Sequence, residues 1–159
     1  MYDKVSSLNN IFFTEKTDFE KLTNEMTLIF KNDSKNESLA RVAVTAFISQ
    51  LDPTINCIND IKTSVSEAVT NAIIHGYEKD KNGDITIYCR YVDNKFYIEV
   101  KDNGVGIFDV NLAKTPLFTS KPEMDRSGLG FTLMETFMDT VEVESVLGSG
   151  TIVRMTKTI

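Results

Sequence analysis

The spacing of apolar residues divides the chain into elements. Residues 26–30 (MTLIF) form a short apolar run that reads as a strand, ended by the polar stretch 31–37. Leu39, Val42, Ala43, Ala46 and Phe47 then recur at helical spacing. They predict a helix capped by Asn36 or Ser38 and running to about Leu51, with those residues inward and Arg41 outward. Asp52-Pro53 breaks it. A second helix begins at Thr54 or Asn56 and carries a stripe of Ile58, Ile61, Val65, Ala68, Val69, Ala72 and Ile73 before stopping near Gly76. The pattern next changes to strict alternation. Ile85, Ile87, Cys89 and Tyr91 lie on one face of a strand, Asp93-Asn94 turns the chain, and Phe96, Ile98 and Val100 alternate again, which predicts an antiparallel hairpin ending at Asp102.

No period persists over 110–127, where Pro116 and Pro122 are dispersed among Lys, Thr and Ser. A stretch of about 17 residues exceeds the usual connection and predicts a lid or binding segment. A helix over 128 to about 138 follows. Val141 and Val143, then Ile152, Val153 and Met155, joined through Leu147-Gly148-Ser149-Gly150, close the chain as a second hairpin. These elements make an α+β fold, a two-layer sandwich whose mixed, mostly antiparallel sheet has helices on one face and the lid at one end. Residues 1–22 have scattered apolar positions without a sustained period and are expected to be a mobile arm, with 23–159 as the domain.

Composition narrows the chemistry. The 159 residues suit one domain, and 42% apolar with 25% charged residues is ordinary for a soluble globular protein. A net charge of -6 argues against broad nucleic-acid binding, because phosphate backbones recruit clustered Lys and Arg. Any phosphate ligand would need local positive potential from helix starts, a few cations or a metal. Cys57 and Cys89 have neither metal-ligand spacing nor a disulfide framework, and read as reduced and structural. No apolar run approaches the ~18 residues of a membrane span and no signal-peptide pattern opens the chain, so a cytoplasmic location is expected.

Three segments carry candidate chemistry. Glu67, Asn71 and His75 are four apart and form a polar row on the second helix. At ~100° per residue Glu67 points nearly away from the core, Asn71 lies obliquely and His75 sits at the stripe's edge. A carboxylate one turn from an amide can act as a base beside a metal ligand; the row can equally be a solvated polar face. Residues 102–107 (DNGVGI) place an acid and two glycines at a strand end, suited to a purine base and its exocyclic amine. Residues 127–131 (SGLGF) open a helix whose free amides favour phosphate.

In this order the three segments resemble the nucleotide-binding boxes of the GHKL ATPase superfamily: EAVTNAIIHGY the N box, DNGVGI and SGLGF the two glycine boxes. NESLARVAVTAFISQLDP, KTSVSEAVTNAIIHGYE, PLFTSKPEMDRSGLGFTLMETFMD and the closing GSGT further resemble the anti-sigma F factors of endospore-forming bacteria, over about residues 24–157. The arm is the unmatched part. The resemblance implies the GHKL (Bergerat) ATP-binding fold, ATP or ADP with Mg2+ as cofactors, and a homodimeric serine protein kinase. Such a protein sequesters a sporulation sigma factor of the sigma F type and phosphorylates an anti-anti-sigma factor on serine.

Carried over by position, the resemblance makes Glu67 the general base, Asn71 the magnesium ligand and Asp102 the acceptor of the adenine amine, with Thr151 nearby. Gly104 and Gly106 would shape the base pocket, and Ser127, Gly128, Leu129 and Gly130 would cradle phosphates. Arg126 would reach the γ-phosphate from the lid, and Arg41 falls at a partner-contact position; Lys121 reads equally as a lid cation near phosphate or as a solvated lysine. His75 is expected to pack or hydrogen-bond at the helix end. Two other readings stay open: a nucleotide-gated sigma-binding module without kinase activity, and a general-stress anti-sigma kinase of the same fold.

Overall fold

In the computed structural model, residues 22–77, 82–117 and 128–159 are described. Strands β1 (Leu22–Lys31), β2 (Asp84–Val92), β3 (Lys95–Asp102), β4 (Thr140–Val146) and β5 (Gly150–Thr158) form one sheet in the order β1-β2-β3-β5-β4. Among the described residues every pairing in it is antiparallel. Helices α1 (Asn36–Ile48), α2 (Ile55–Asn71) and α4 (Gly130–Phe137) build the second layer, and a short helix α3 (Val110–Ala113) lies within the segment expected to be a lid.

Alternation in the strands produces the buried face. Register places Cys89 opposite Ile98 and Ile98 opposite Met155, while Val100 sits between Ile87 and Val153, so apolar side chains line up across β2, β3 and β5. The helices cover these rows with Ala40, Val44, Ile48, Ile61, Val65, Val69 and Met134. Phe47 joins the layers, its ring centroid 5.3 Å from that of Tyr91 and 6.4 Å from that of Phe96.

The two long helices obey the pattern differently. On α2 the expected Ile61, Val65, Ala68 and Val69 are buried, as is Ala72 just past its end, and the Thr54 side chain caps the start by accepting from the Cys57 amide at 3.2 Å. On α1 the buried set is Ala40, Val44, Phe47 and Ile48; of the expected inward residues, Ala46 is exposed, Leu39 is 49% and Val42 62% exposed. Two apolar stripes share this helix and Phe47 belongs to both; the one that adds Ala40, Val44 and Ile48 faces the sheet. Neither Asn36 nor Ser38 caps it. The Asp33 carboxylate instead accepts from the Lys35 amide at 2.9 Å, just ahead of the first turn.

The helical run of α2 continues into a wider, π-helical turn, Ala72–Gly76. Such turns re-aim side chains and concentrate at functional sites. No helix among the described residues is long and apolar enough to cross a membrane. Fully buried Ile98 sits in the middle strand under the helices. Ile98→Ala is expected to cost about 2–5 kcal/mol, and Thr54→Ala about 1 kcal/mol through the lost cap; urea unfolding of both variants checks the order.

Candidate functional site

A cavity of about 520 Å³ opens where the end of α2, the end of β3, the loop after it, α3 and the start of α4 meet. That volume is in the range of small-molecule sites. Six of the expected residues line it: Asn71, Asp102, Gly106, Gly128, Gly130 and Thr151. His75 also lines it, together with Gly76, and apolar walls come from Val100, Ile107, Phe131 and Val153.

Asp102 anchors one end. It is buried, its Oδ1 accepts from the Gly104 amide at 2.9 Å, and it pairs across the sheet with Thr151. Burial raises its carboxyl pKa above the ordinary 3.8, opposed by the backbone amides of Gly104 and Thr151. A buried carboxylate held by backbone donors keeps an unshared oxygen lone pair for a ligand N–H. The loop after it is drawn against the helix end, where the Val105 amide donates to the Gly76 carbonyl at 2.7 Å. A Cβ on Gly104 would collide with that carbonyl, and a Cβ on Gly76 would stand 2.8 Å from the Asp102 carboxyl. Gly106 has φ +74, and a side chain there would strike the Val146 carbonyl.

Two further residues brace this end, and sequence reasoning missed both. The Tyr77 hydroxyl donates to the Asp84 carbonyl at 2.5 Å and accepts from the Asn103 amide at 2.8 Å, tying helix end to strand end. Ser145 Oγ accepts from the Ile107 amide at 2.7 Å and lies 2.8 Å from Thr151 Oγ1. The contacts to Asn103 and Ile107 join residues 26 and 38 positions apart, and no local pattern marks them.

At the other end α4 starts against the flank of α2. A Cβ on Gly130 would stand 3.0 Å from Glu67 Oε2 and 3.3 Å from Asn71 Nδ2, so glycine lets the two helices meet over these side chains. Glu67 is half-buried there, although a helix wheel turns it from the core, because α4 packs on that flank. It does not itself line the cavity, nor do Gly104 and Leu129. Leu129 precedes α4 and its carbonyl accepts from the Leu133 amide at 2.8 Å. The Leu117 amide donates to the Gly128 carbonyl at 3.0 Å, bringing the two sides of the expected lid together. Arg126, Ser127 and Lys121 lie outside the described residues. Arg41 lies on α1 away from the cavity lining, 3.6 Å from Glu37, whose carboxylate also accepts from Ser66 Oγ.

A family model described as a histidine kinase-like ATPase domain matches residues 30–157. An anti-sigma F factor of Clostridium botulinum is 57% identical over 134 residues, which are 84% of this chain and 94% of that protein. The chain belongs to the anti-sigma F factor family. Solved structures agree on the fold at 18% identity. The RsbU and RsbW domains of a Mycobacterium tuberculosis protein superpose with TM-score 0.64 over 86% of this chain, which spans only 32% of that one. The catalytic domain of the histidine kinase ThkA superposes with TM-score 0.53, covering 84% of this chain and 95% of that one. A GHKL-type ATPase domain implies a nucleotide ligand, and the cavity of this anti-sigma F family member has the size and the buried acceptor for one.

An ionised Asp102 accepts a hydrogen bond from an amine with a full negative charge, whereas the neutral acid keeps only a weaker carbonyl acceptor. Because its pKa is raised, ADP affinity should fall on acidification before an ordinary aspartate near 3.8 would protonate. Asp102→Asn should weaken ADP binding about tenfold or more, the scale of a hydrogen bond to a charged group, and should flatten that acid limb. Calorimetric titration against pH measures both effects.

Proposed function

We propose that this protein is a Mg-ATP-dependent serine protein kinase that also sequesters a sporulation sigma factor of the sigma F type. Its substrate is a serine of an anti-anti-sigma factor, and it works as a homodimer in the cytoplasm. The observation that carries the reading is the meeting of Glu67 and Asn71 at Gly130, where α4 begins, with the buried Asp102 at the other end of the cavity. That layout suits a nucleotide whose base amine reaches Asp102 and whose phosphates meet the amides that open α4.

Among the described residues no group of three or more His, Cys, Asp or Glu side chains could hold a metal ion. The Asn71 amide oxygen suits a Mg2+ whose other positions are filled by phosphate oxygens and water, as is usual for this ion. Bound so, Mg2+ would neutralise phosphate charge. Glu67 accepts the proton of the incoming serine hydroxyl as its oxygen bonds to the γ-phosphorus and the bond to the ADP oxygen breaks. Arg126 offsets charge on the departing phosphoryl group. On α1, Leu39 and Val42 are exposed apolar residues one turn apart, and an apolar surface on the helix that carries Arg41 fits sigma-factor capture.

A specific observation favours a second reading. Glu67 is not among the described residues that line the cavity, as a nucleotide-gated sigma binder without kinase activity would allow. A general-stress anti-sigma kinase of the same fold would differ only in its partners, which co-purification with the native sigma factor identifies. Transfer of labelled γ-phosphate to the cognate anti-anti-sigma protein separates kinase from binder. Wild type should transfer label and Glu67→Ala should lose about 100-fold or more in rate with ATP affinity kept; no transfer by wild type, or an unchanged rate in the variant, refutes the kinase. Arg126→Ala should lower the transfer rate more than it lowers ATP affinity, and equal losses would make Arg126 an ordinary binding contact.

A further inference from the structure

Three polar contacts meet on one hydroxyl near Asp102. Ser145 Oγ, on β4, accepts from the Ile107 amide at 2.7 Å, lies 3.1 Å from the carbonyl oxygen of buried Gly150 and 2.8 Å from Thr151 Oγ1. The Ile107 amide can only donate and the Gly150 carbonyl can only accept. Between the two hydroxyls either one can be the donor.

The proton count decides between them. A serine hydroxyl has one proton and two lone pairs. If Ser145 gave its proton to Thr151, its contact with the Gly150 carbonyl would set two oxygens together with no hydrogen between them. If it gives the proton to Gly150, one lone pair takes the Ile107 amide, the other takes the Thr151 proton, and all three contacts are hydrogen bonds. Only this arrangement makes all three. It uses Ser145 to capacity and commits the Thr151 proton, so Thr151 Oγ1 offers a ligand lone pairs alone.

Thr151 is placed where an acceptor matters. It is buried, lines the cavity and lies directly opposite Asp102 in the register of β3 and β5, so both side chains leave the same face of the sheet. Directly opposite residues have Cβ atoms about 4.5–5.5 Å apart. A planar amine that donates both its hydrogens, each over about 2.9 Å, holds its two acceptors about 5 Å apart. The spacing of neighbouring strands thus fits two acceptors to one NH2 group. A carboxylate alone accepts from any N–H, whereas a carboxylate with a fixed acceptor beside it favours a group with two. Ser145 is not among the described residues that line the cavity, so its effect on a ligand passes through Thr151.

We propose that Ser145 is a positioning residue for nucleobase recognition: by taking the Thr151 proton it fixes Thr151 as a second acceptor beside Asp102, and the site thereby selects a base with a free exocyclic amine. The inference rests on the adenine-nucleotide reading of the cavity and adds the residue that sets its polarity.

Calorimetry with Mg2+ compares ATP with purine riboside triphosphate, which carries a hydrogen where ATP carries the amine. Wild type should prefer ATP by about tenfold or more, and Thr151→Val should lower that preference about fivefold, the scale of one neutral hydrogen bond. Ser145→Ala frees the Thr151 proton to turn toward the ligand and should lower the preference about two- to fivefold, not beyond the Thr151→Val value. Ser145→Cys keeps the size with only a weak donor and acceptor and should behave in the same way. The double variant of Ser145→Ala with Thr151→Val should match Thr151→Val, and Ser145→Thr, which keeps the hydroxyl, should retain the wild-type preference. An unchanged preference in Ser145→Ala and Ser145→Cys overturns the proposal even if both affinities fall together, because Ser145 then only braces the loop at Ile107. A double variant with less preference than Thr151→Val overturns it as well, since Ser145 then acts by another route. In both cases the wild-type preference stands and with it the amine reading; a wild type without preference overturns that reading and this inference together.

Discussion

The site depends on a close approach of two backbones. The loop after β3 can receive a ligand beside Asp102 only because the Gly76 carbonyl accepts from the Val105 amide at 2.7 Å and neither Gly76 nor Gly104 has a side chain to hold them apart. That contact joins the end of α2 to the end of β3. It therefore sets the position of Asn71, one π-helical turn back, relative to Asp102 at the strand end. That junction sets one end of the cavity, and at the far end of the β2–β3 hairpin Phe47 against Tyr91 and Phe96 holds α1 to the sheet.

Around this junction the bracing is polar and long-range. Tyr77 holds Asn103, and Ser145 holds Ile107 and touches Thr151, so the first glycine segment is tied both to the helix end and to the last hairpin. Buried hydrogen bonds of this kind add only modestly to stability, and they are expensive to leave unmade. Their effect is to limit the loop to one conformation and so to preorganise the Asp102 end. The opposite end is different in kind. There a glycine at the start of α4 lets two helices touch, and the groups that meet, Glu67 and Asn71, are side chains rather than backbone.

Much of this was legible before the fold was known, where a local period decides the outcome. Both hairpins, the Asp52-Pro53 break, the Thr54 cap and the stripe of α2 follow from spacing and turn chemistry alone. The acid and the glycines that line the cavity were legible for another reason: a carboxylate at a strand end and glycines around it suggest a ligand whatever the sheet order. The failures share a cause. On α1 two apolar stripes that share Phe47 compete, and only packing against the sheet chooses between them. Glu67 is half-buried through α4, an element more than sixty positions away. Tyr77 and Ser145 act through partners that local patterning does not pair with them, and the burial of Arg90 and Glu99 has no counterpart in an alternating pattern that marks them as outward.

The central claim is that the cavity takes an adenine nucleotide by its exocyclic amine, with the buried Asp102 as acceptor. Inosine triphosphate differs from ATP at that position, carrying a carbonyl oxygen where ATP carries the amine, and so sets an acceptor against an acceptor. Calorimetric comparison of the two nucleotides on the wild-type protein with Mg2+ present is the most direct measurement. The account predicts that ATP binds at least about tenfold more tightly, the scale of a lost hydrogen bond to a charged group; equal affinities would contradict it.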